Sequence, residues 1–148
     1  MNEKVIIKRR AELELKIESL AYGGMGVAKK DDFVIFVKGA IPGQIVNARV
    51  YKKKKGYAEA QTLNIVSESP NAVEPKCNHF YICSKIQNLS YKEQLKEKGN
   101  QVEDAFQRLG GFKEFKLKKL IEGDPTFYYR NKMEFTFSPH RWVLESEP

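Results

Sequence analysis

SLAYGGMGVAKKDDFVIFVKGAIPGQ, residues 19–44, decides the fold. Gly23, Gly24 and Gly26 interrupt the chain just after a β-like run. Glycine takes φ > 0 at no steric cost, so Ser19 to Lys30 is expected to be a loop. Phe33-Val34-Ile35-Phe36-Val37 follows and is apolar at every position. Such a run is expected to be covered on both faces, as in a closed barrel. Pro42-Gly43 then turns the chain into a further strand that runs into Lys52-Lys53-Lys54-Lys55.

The pattern extends to either side. From Ala11 to Ile17, Leu13, Leu15 and Ile17 alternate with Glu12, Glu14 and Lys16, the signature of a half-buried strand. Gln44 to Lys53 alternates again, with Ile45, Ala48 and Val50 expected inward, and Tyr57 to Val66 forms another strand. Four or five short strands in about 60 residues fit a small all-β, OB-like barrel over residues 11–69. Residues 1–10 read as a basic tail. The polar stretch Ser67 to Asn71 marks a boundary with a partial α+β domain over 70–148.

In that second part, Ser90-Tyr91-Lys92-Glu93 has the form of a capping box and opens a helix. Tyr91, Leu95, Val102, Phe106 and Leu109 fall on one helical face, and Gly110-Gly111 ends it. Gly99, inside the helix, costs about 1 kcal/mol relative to alanine. Two further strands are expected, Phe115 to Ile121 and Tyr129 to Ser138. In the latter, Met133, Phe135 and Phe137 face one way, and Lys132, Glu134 and Thr136 the other.

The chain of 148 residues carries a net charge of +7. The charge is uneven: residues 1–69 hold 13 Lys/Arg against 8 Asp/Glu, and residues 70–148 hold 13 against 11. The first part is therefore the expected electrostatic footprint for a polyanion. No apolar run approaches the roughly 20 residues that span a bilayer, and the N-terminus lacks the apolar core of a secretion signal. The expected location is the cytoplasm, where the two cysteines stay as thiols or serve as ligands.

The ordered blocks resemble one family. The glycine stretch with its lysine-ended strand is similar to the TRAM domain, a small RNA-binding barrel. Cys77-Asn78-His79-Phe80-Tyr81-Ile82-Cys83, Gln87 to Leu95 and Tyr129-Arg130-Asn131-Lys132-Met133-Glu134-Phe135 resemble segments of the TRAM-containing RNA uracil-5 methyltransferases. The resemblance covers roughly residues 11–138. It implies an RNA-binding barrel, a central α/β domain and a Rossmann-like domain that binds S-adenosylmethionine. It also implies attack of a cysteine thiolate on C6 of a uracil, followed by methylation at C5. Neither cysteine here matches the family's catalytic position, and the 11 residues from Ser138 to Pro148 leave no room for a cofactor fold. The expectation is thus an N-terminal portion, inactive alone, with RNA, expected to be ribosomal, as partner and neither DNA nor a membrane. The alternatives are a stand-alone RNA-binding module or a small zinc or iron–sulfur protein.

Residues expected to touch RNA are Lys52, Lys53, Lys54 and Lys55 with Lys29 and Lys30 as phosphate contacts, and Tyr57 and Tyr22 as stacking platforms. Lys8, Arg9 and Arg10 are expected either to grip RNA loosely or to stay disordered. Arg130 and Lys132 lie two apart on the expected last strand and share a face. They hold either RNA or a neighbouring acid such as Glu134. In the family that the chain resembles, many members hold a [4Fe–4S] cluster through four cysteines, three of them in a C-x5-C-G-G-C pattern. Cys77 and Cys83 keep the first spacing, but Ser84-Lys85-Ile86 stands where Gly-Gly-Cys belongs. Two thiolates do not complete such a cluster. A zinc site with His79 and the distant His140 is the metal alternative, and a degenerate loop held by Phe80, Tyr81 and Ile82 is the default. No residue is assigned a catalytic role.

Overall fold

The computed structural model describes residues 7–31, 33–80, 84–141 and 143. Six strands form one mixed sheet: β1 (Glu12–Lys16), β2 (Ser19–Leu20), β3 (Gly26–Lys30), β4 (Phe33–Lys38), β5 (Ile45–Lys53) and β6 (Tyr57–Ser67). The order is β1-β5-β6-β4-β3-β2, parallel between β4 and β6 and antiparallel elsewhere. The ladder does not close, which corrects the expectation of a closed barrel. It nevertheless coils, because β1 meets β3 and residues from β1, β3, β4, β5 and β6 share a single core. Leu15, Ala28, Ile35, Val37, Val46, Ala48, Val50, Ala58 and Ala60 fill that core on a period of two.

Several expectations are corrected. The segment Ser19 to Lys30 is not all loop, since its two ends form β2 and β3 around a short glycine turn. In β5 the buried residues are Val46, Ala48 and Val50, and Ile45 is only half-buried. In β4, Ile35 and Val37 are buried while Phe33, Val34 and Phe36 are half-buried, so one face is the core face. Of the expected basic tail, residues 1–6 lie outside the described residues. Ile7 belongs to the core, the Arg10 amide donates to the Val50 carbonyl (2.8 Å) and Arg9 Nε donates to the Tyr51 carbonyl (3.2 Å). The strand β5 therefore holds Arg9 and Arg10 in place.

The polar stretch after β6 is likewise tied down. Ser69 is buried, and its hydroxyl donates to the Pro42 carbonyl at 2.7 Å. Gln44, also buried, accepts from the Ile41 amide (2.9 Å) and donates to Glu68 (2.7 Å). A second apolar cluster joins Leu20 and Ile41 of the sheet region to Leu89, with Ala72 and Ile86 against it. Beyond it runs helix α1 (Tyr91–Asp104), continued by one π-helical turn, Ala105–Leu109.

The helix begins at Ser90 as expected, but no side-chain cap forms. Glu93 is engaged by Lys96 at 2.6 Å instead. The buried positions of α1 are Glu97 and Gly99, and Val102, Phe106 and Leu109 are exposed. Gly99 is explained by close approach: a Cβ there would lie 3.0 Å from Leu120 Cδ1 and 3.5 Å from Leu117 Cδ1.

Residues 115–121 run beside α1 without forming a strand. The Leu117 amide donates to Glu103, and Gln107 donates to the Phe115 carbonyl. Residues 129–138 are not a strand either, and Met133, Phe135 and Phe137 are exposed. A period of two specifies a strand only where a neighbouring edge accepts it, and no described element pairs with this segment.

Candidate nucleic-acid interface

Strands β5 and β6 form a hairpin whose tip is Lys54-Lys55-Gly56, closed by the Lys54 amide donating to the Tyr57 carbonyl at 2.8 Å. Lys52, Lys53, Lys54 and Lys55 are all exposed. The register skips at Tyr51: Val50 faces Ala60, and Lys52 faces Glu59. In a regular strand successive side chains point to opposite faces, whereas a bulge re-aims them. Here Tyr51 and Lys52 reach the same carboxylate, the tyrosine hydroxyl donating to Glu59 Oε2 (3.0 Å) and Lys52 Nζ to Oε1 (2.6 Å).

This pairing sets the local electrostatics. The hydrogen bond from Lys52, reinforced by that from Tyr51, holds the Glu59 carboxyl below the usual glutamate range. The same bond raises the Lys52 ammonium above its usual value. Partial burial, then Glu59, pushes the Tyr51 hydroxyl up. Glu59 thus neutralises Lys52, while Lys53, Lys54 and Lys55 enter no ion pair among the described residues.

The two tyrosines differ. Tyr57 is half-buried, with Phe36 edge-on at 5.6 Å and 74°. Tyr22 is 95% exposed at the top of the glycine turn. Lys29 is exposed and Lys30 half-buried, both on β3. In the β4 ladder Lys30 sits opposite Phe33, and Val34 pairs with both Lys29 and Tyr57. β4 therefore separates the lysines of β3 from the hairpin by one strand.

Arg130 and Lys132 stand apart from this edge. Arg130 Nε donates to the Lys132 carbonyl at 3.1 Å, and Lys132 lies 3.6 Å from Glu134, so their partners are local. Cys77 is exposed, and its amide donates to Gln87. Cys83 lies outside the described residues, as do Tyr81 and Ile82. Among the described residues no three of His, Cys, Asp and Glu converge as a metal site would require.

Sequence reading missed a second constellation. Glu97 is 4% exposed, and its Oε2 accepts from the Leu20 amide at 2.7 Å. One turn on, Gln101 Nε2 donates to the carbonyls of Leu20 (3.1 Å) and Ala21 (3.4 Å). Two residues at i, i+4 on α1 thus grip the backbone that leads into the glycine turn. Beside this grip lies a groove of about 730 Å³ between the turn, Ser84 to Ile86 and α1. The sequence held no hint of this grip, since Gly99 marks the approach of Leu117 and Leu120 instead.

Residues 8–63 match the TRAM domain family. The chain is 39% identical to an uncharacterized RNA methyltransferase of Porphyromonas gingivalis over 90% of its length, and 38% identical to one of Bacteroides thetaiotaomicron over 86%. The chain spans 29% of the length of each. The chain is thus similar over residues 8–63 to the TRAM domain, and over most of its length to the N-terminal part of proteins named RNA methyltransferases. The solution structure of a conserved Methanococcus maripaludis protein is 34% identical, covering 41% of this chain and 87% of that one with a TM-score of 0.39.

Proposed function

We propose that this chain is the RNA-gripping portion of an S-adenosylmethionine-dependent RNA uracil-5 methyltransferase that acts on ribosomal RNA in the cytoplasm. The observation that carries the RNA-binding reading is the exposed hairpin tip Lys53-Lys54-Lys55, which makes no salt bridge among the described residues, on a sheet that matches the TRAM domain. In this reading residues 11–69 form the RNA-binding unit and residues 70–148 part of a central domain. The methyl group comes from S-adenosylmethionine, and no residue of this chain is assigned to hold it. The chain's own residues bind: the lysines take phosphates, and Tyr22 offers a face to a base. The uracil-5 chemistry rests on the resemblance of the cysteine, helix and YRNKMEF segments, and on relatives named RNA methyltransferases.

Fluorescence anisotropy with a labelled single-stranded ribosomal RNA fragment tests the grip. Binding at low salt that weakens linearly with log salt is expected, and no binding at about 50 mM salt overturns the reading. Nucleoside analysis of ribosomal RNA from cells lacking the gene tests the chemistry. Loss of one 5-methyluridine is expected, and an unchanged nucleoside profile overturns that part.

A further inference from the structure

We propose that the groove between the glycine turn and α1 is a subsite for one unstacked nucleotide of single-stranded RNA. This rests on reading the chain as an RNA binder, and it adds a position that the lysine hairpin does not include. A volume of about 730 Å³ lies within the roughly 300–1,000 Å³ of small-ligand sites. Its walls are Leu20, Ile86, Val102 and Phe106, and its rim carries Tyr22, Lys85 and Lys98.

Three observations converge on a nucleotide. First, the apolar walls include Phe106, whose ring already stacks flat on Phe115 (4.1 Å, 4°), and Tyr22 stands at the rim with its ring in solvent. Planar rings of this kind bind the faces of bases. Second, Lys85 and Lys98 are exposed and enter no ion pair among the described residues. An apolar floor beneath two ammonium groups suits a flat ring that carries a phosphate. Third, the platform is pre-organised. The Ala21 amide donates to Met25 (2.8 Å) and the Gly24 amide to Ala21 (3.0 Å), closing the turn that carries Tyr22. Gly24 takes φ +83, and a Cβ there would lie 3.2 Å from Lys85 Cβ, so the turn closes directly on Lys85. Glu97 and Gln101, which also line the groove, hold the start of the turn, the Glu97 carboxylate being committed to the Leu20 amide. A site fixed before binding loses less affinity to ordering. A second copy of this chain fits the groove poorly, because a net charge of +7 on each opposes self-association.

The test compares Tyr22→Ala, Tyr22→Phe and Lys85→Gln/Lys98→Gln with the unaltered chain. Each is titrated against an eight-nucleotide RNA and against the same phosphodiester chain without bases. Base stacking is worth about 1–3 kcal/mol, so Tyr22→Ala is expected to weaken RNA binding about 5- to 150-fold and leave the abasic strand unaffected. Tyr22→Phe is expected to keep affinity. The lysine pair is expected to lower the salt slope by about 1.4, two phosphates at ~0.7 each on a single strand. Tyr22 is exposed, so its variants fold, and circular dichroism checks this. Unchanged RNA affinity in Tyr22→Ala, or an equal loss on the abasic strand, overturns the subsite. So does a dimer in sedimentation equilibrium that the lysine pair variant dissociates. If the subsite fails while Lys53→Gln/Lys54→Gln/Lys55→Gln still weakens RNA binding, the broader reading stands. If the unaltered chain binds no RNA, both fall.

Discussion

Glu97 Oε2 accepts a 2.7 Å hydrogen bond from the amide of Leu20, a residue 77 positions earlier in the chain. The carboxylate is nearly buried, and Gln101 secures the carbonyl of the same residue. The helix therefore holds the start of the glycine turn by both of its backbone polar groups. Removing the carboxylate leaves a buried amide unpaired, which costs about 1–3 kcal/mol. Glu97→Ala is expected to lose that much in urea unfolding and to speed hydrogen exchange at Leu20. Glu97→Gln, which keeps an acceptor oxygen, is expected to lose less.

Gly43 and Gly56 make opposite predictions. Gly43 takes φ +90, and a Cβ there would lie 2.7 Å from Ser69 Oγ. That hydroxyl is committed to the Pro42 carbonyl. Gly43→Ala is expected to destabilise by about 1–3 kcal/mol, through strain in the left-handed region and displacement of Ser69. Gly56 has open space around a Cβ, and Gly56→Ala is expected to stay within about 0.5 kcal/mol. Thermal or urea midpoints of the two variants decide the matter.

The lysines of the hairpin are not equivalent. Lys53, Lys54 and Lys55 changed together to Gln are expected to reduce the salt slope of RNA binding by up to about 2, at ~0.7 per phosphate. Lys52→Gln is expected to do less, because Glu59 already neutralises Lys52. The converse variant is more telling. Glu59→Gln frees the Lys52 ammonium and is expected to steepen the slope. Salt titrations of affinity read both.

The same pair predicts a pH window. The folded Glu59 carboxyl lies below its ordinary value, chiefly because Lys52 donates to it. A depressed folded value stabilises above the unfolded titration point. That contribution is lost as pH falls through the folded one. The ion pair therefore breaks at a lower pH than that at which an ordinary glutamate takes up its proton. NMR titration of Glu59 is expected to show a midpoint below that of an ordinary glutamate, and Lys52→Ala is expected to move it upward.

Much of the sheet was legible because each core strand repeats its pattern over five or more residues. Leu13, Leu15 and Ile17, or Ala48 and Val50, leave little choice of face. The strands β2 and β3 were hidden because the three glycines between their ends dominate a local reading. The helix was legible in extent but not in facing. Its apolar residues pointed to Tyr91, Leu95, Val102, Phe106 and Leu109, whereas tertiary contacts bury Glu97 and Gly99. A buried glutamate with a backbone amide as partner leaves no trace in periodicity, because its partner lies in a distant segment. Alternation in 129–137 was real in the sequence, but a strand needs an edge to join, and no described element offers one. The lysine tip could be read from composition. The bulge that hands Lys52 to Glu59 could not, since it depends on a register skip across the hairpin.

The position of β6 governs the order in which the sheet can be assembled. β6 lies between β5 and β4, so among the described residues it alone hydrogen-bonds the β1–β5 pair to the β2-β3-β4 group. Without the eleven residues of β6, β5 and β4 would each carry a bare backbone edge. Unpaired edges recruit wrong partners. Until β6 is in place, the facing edges of β5 and β4 therefore stay open to mispairing, and its docking satisfies both.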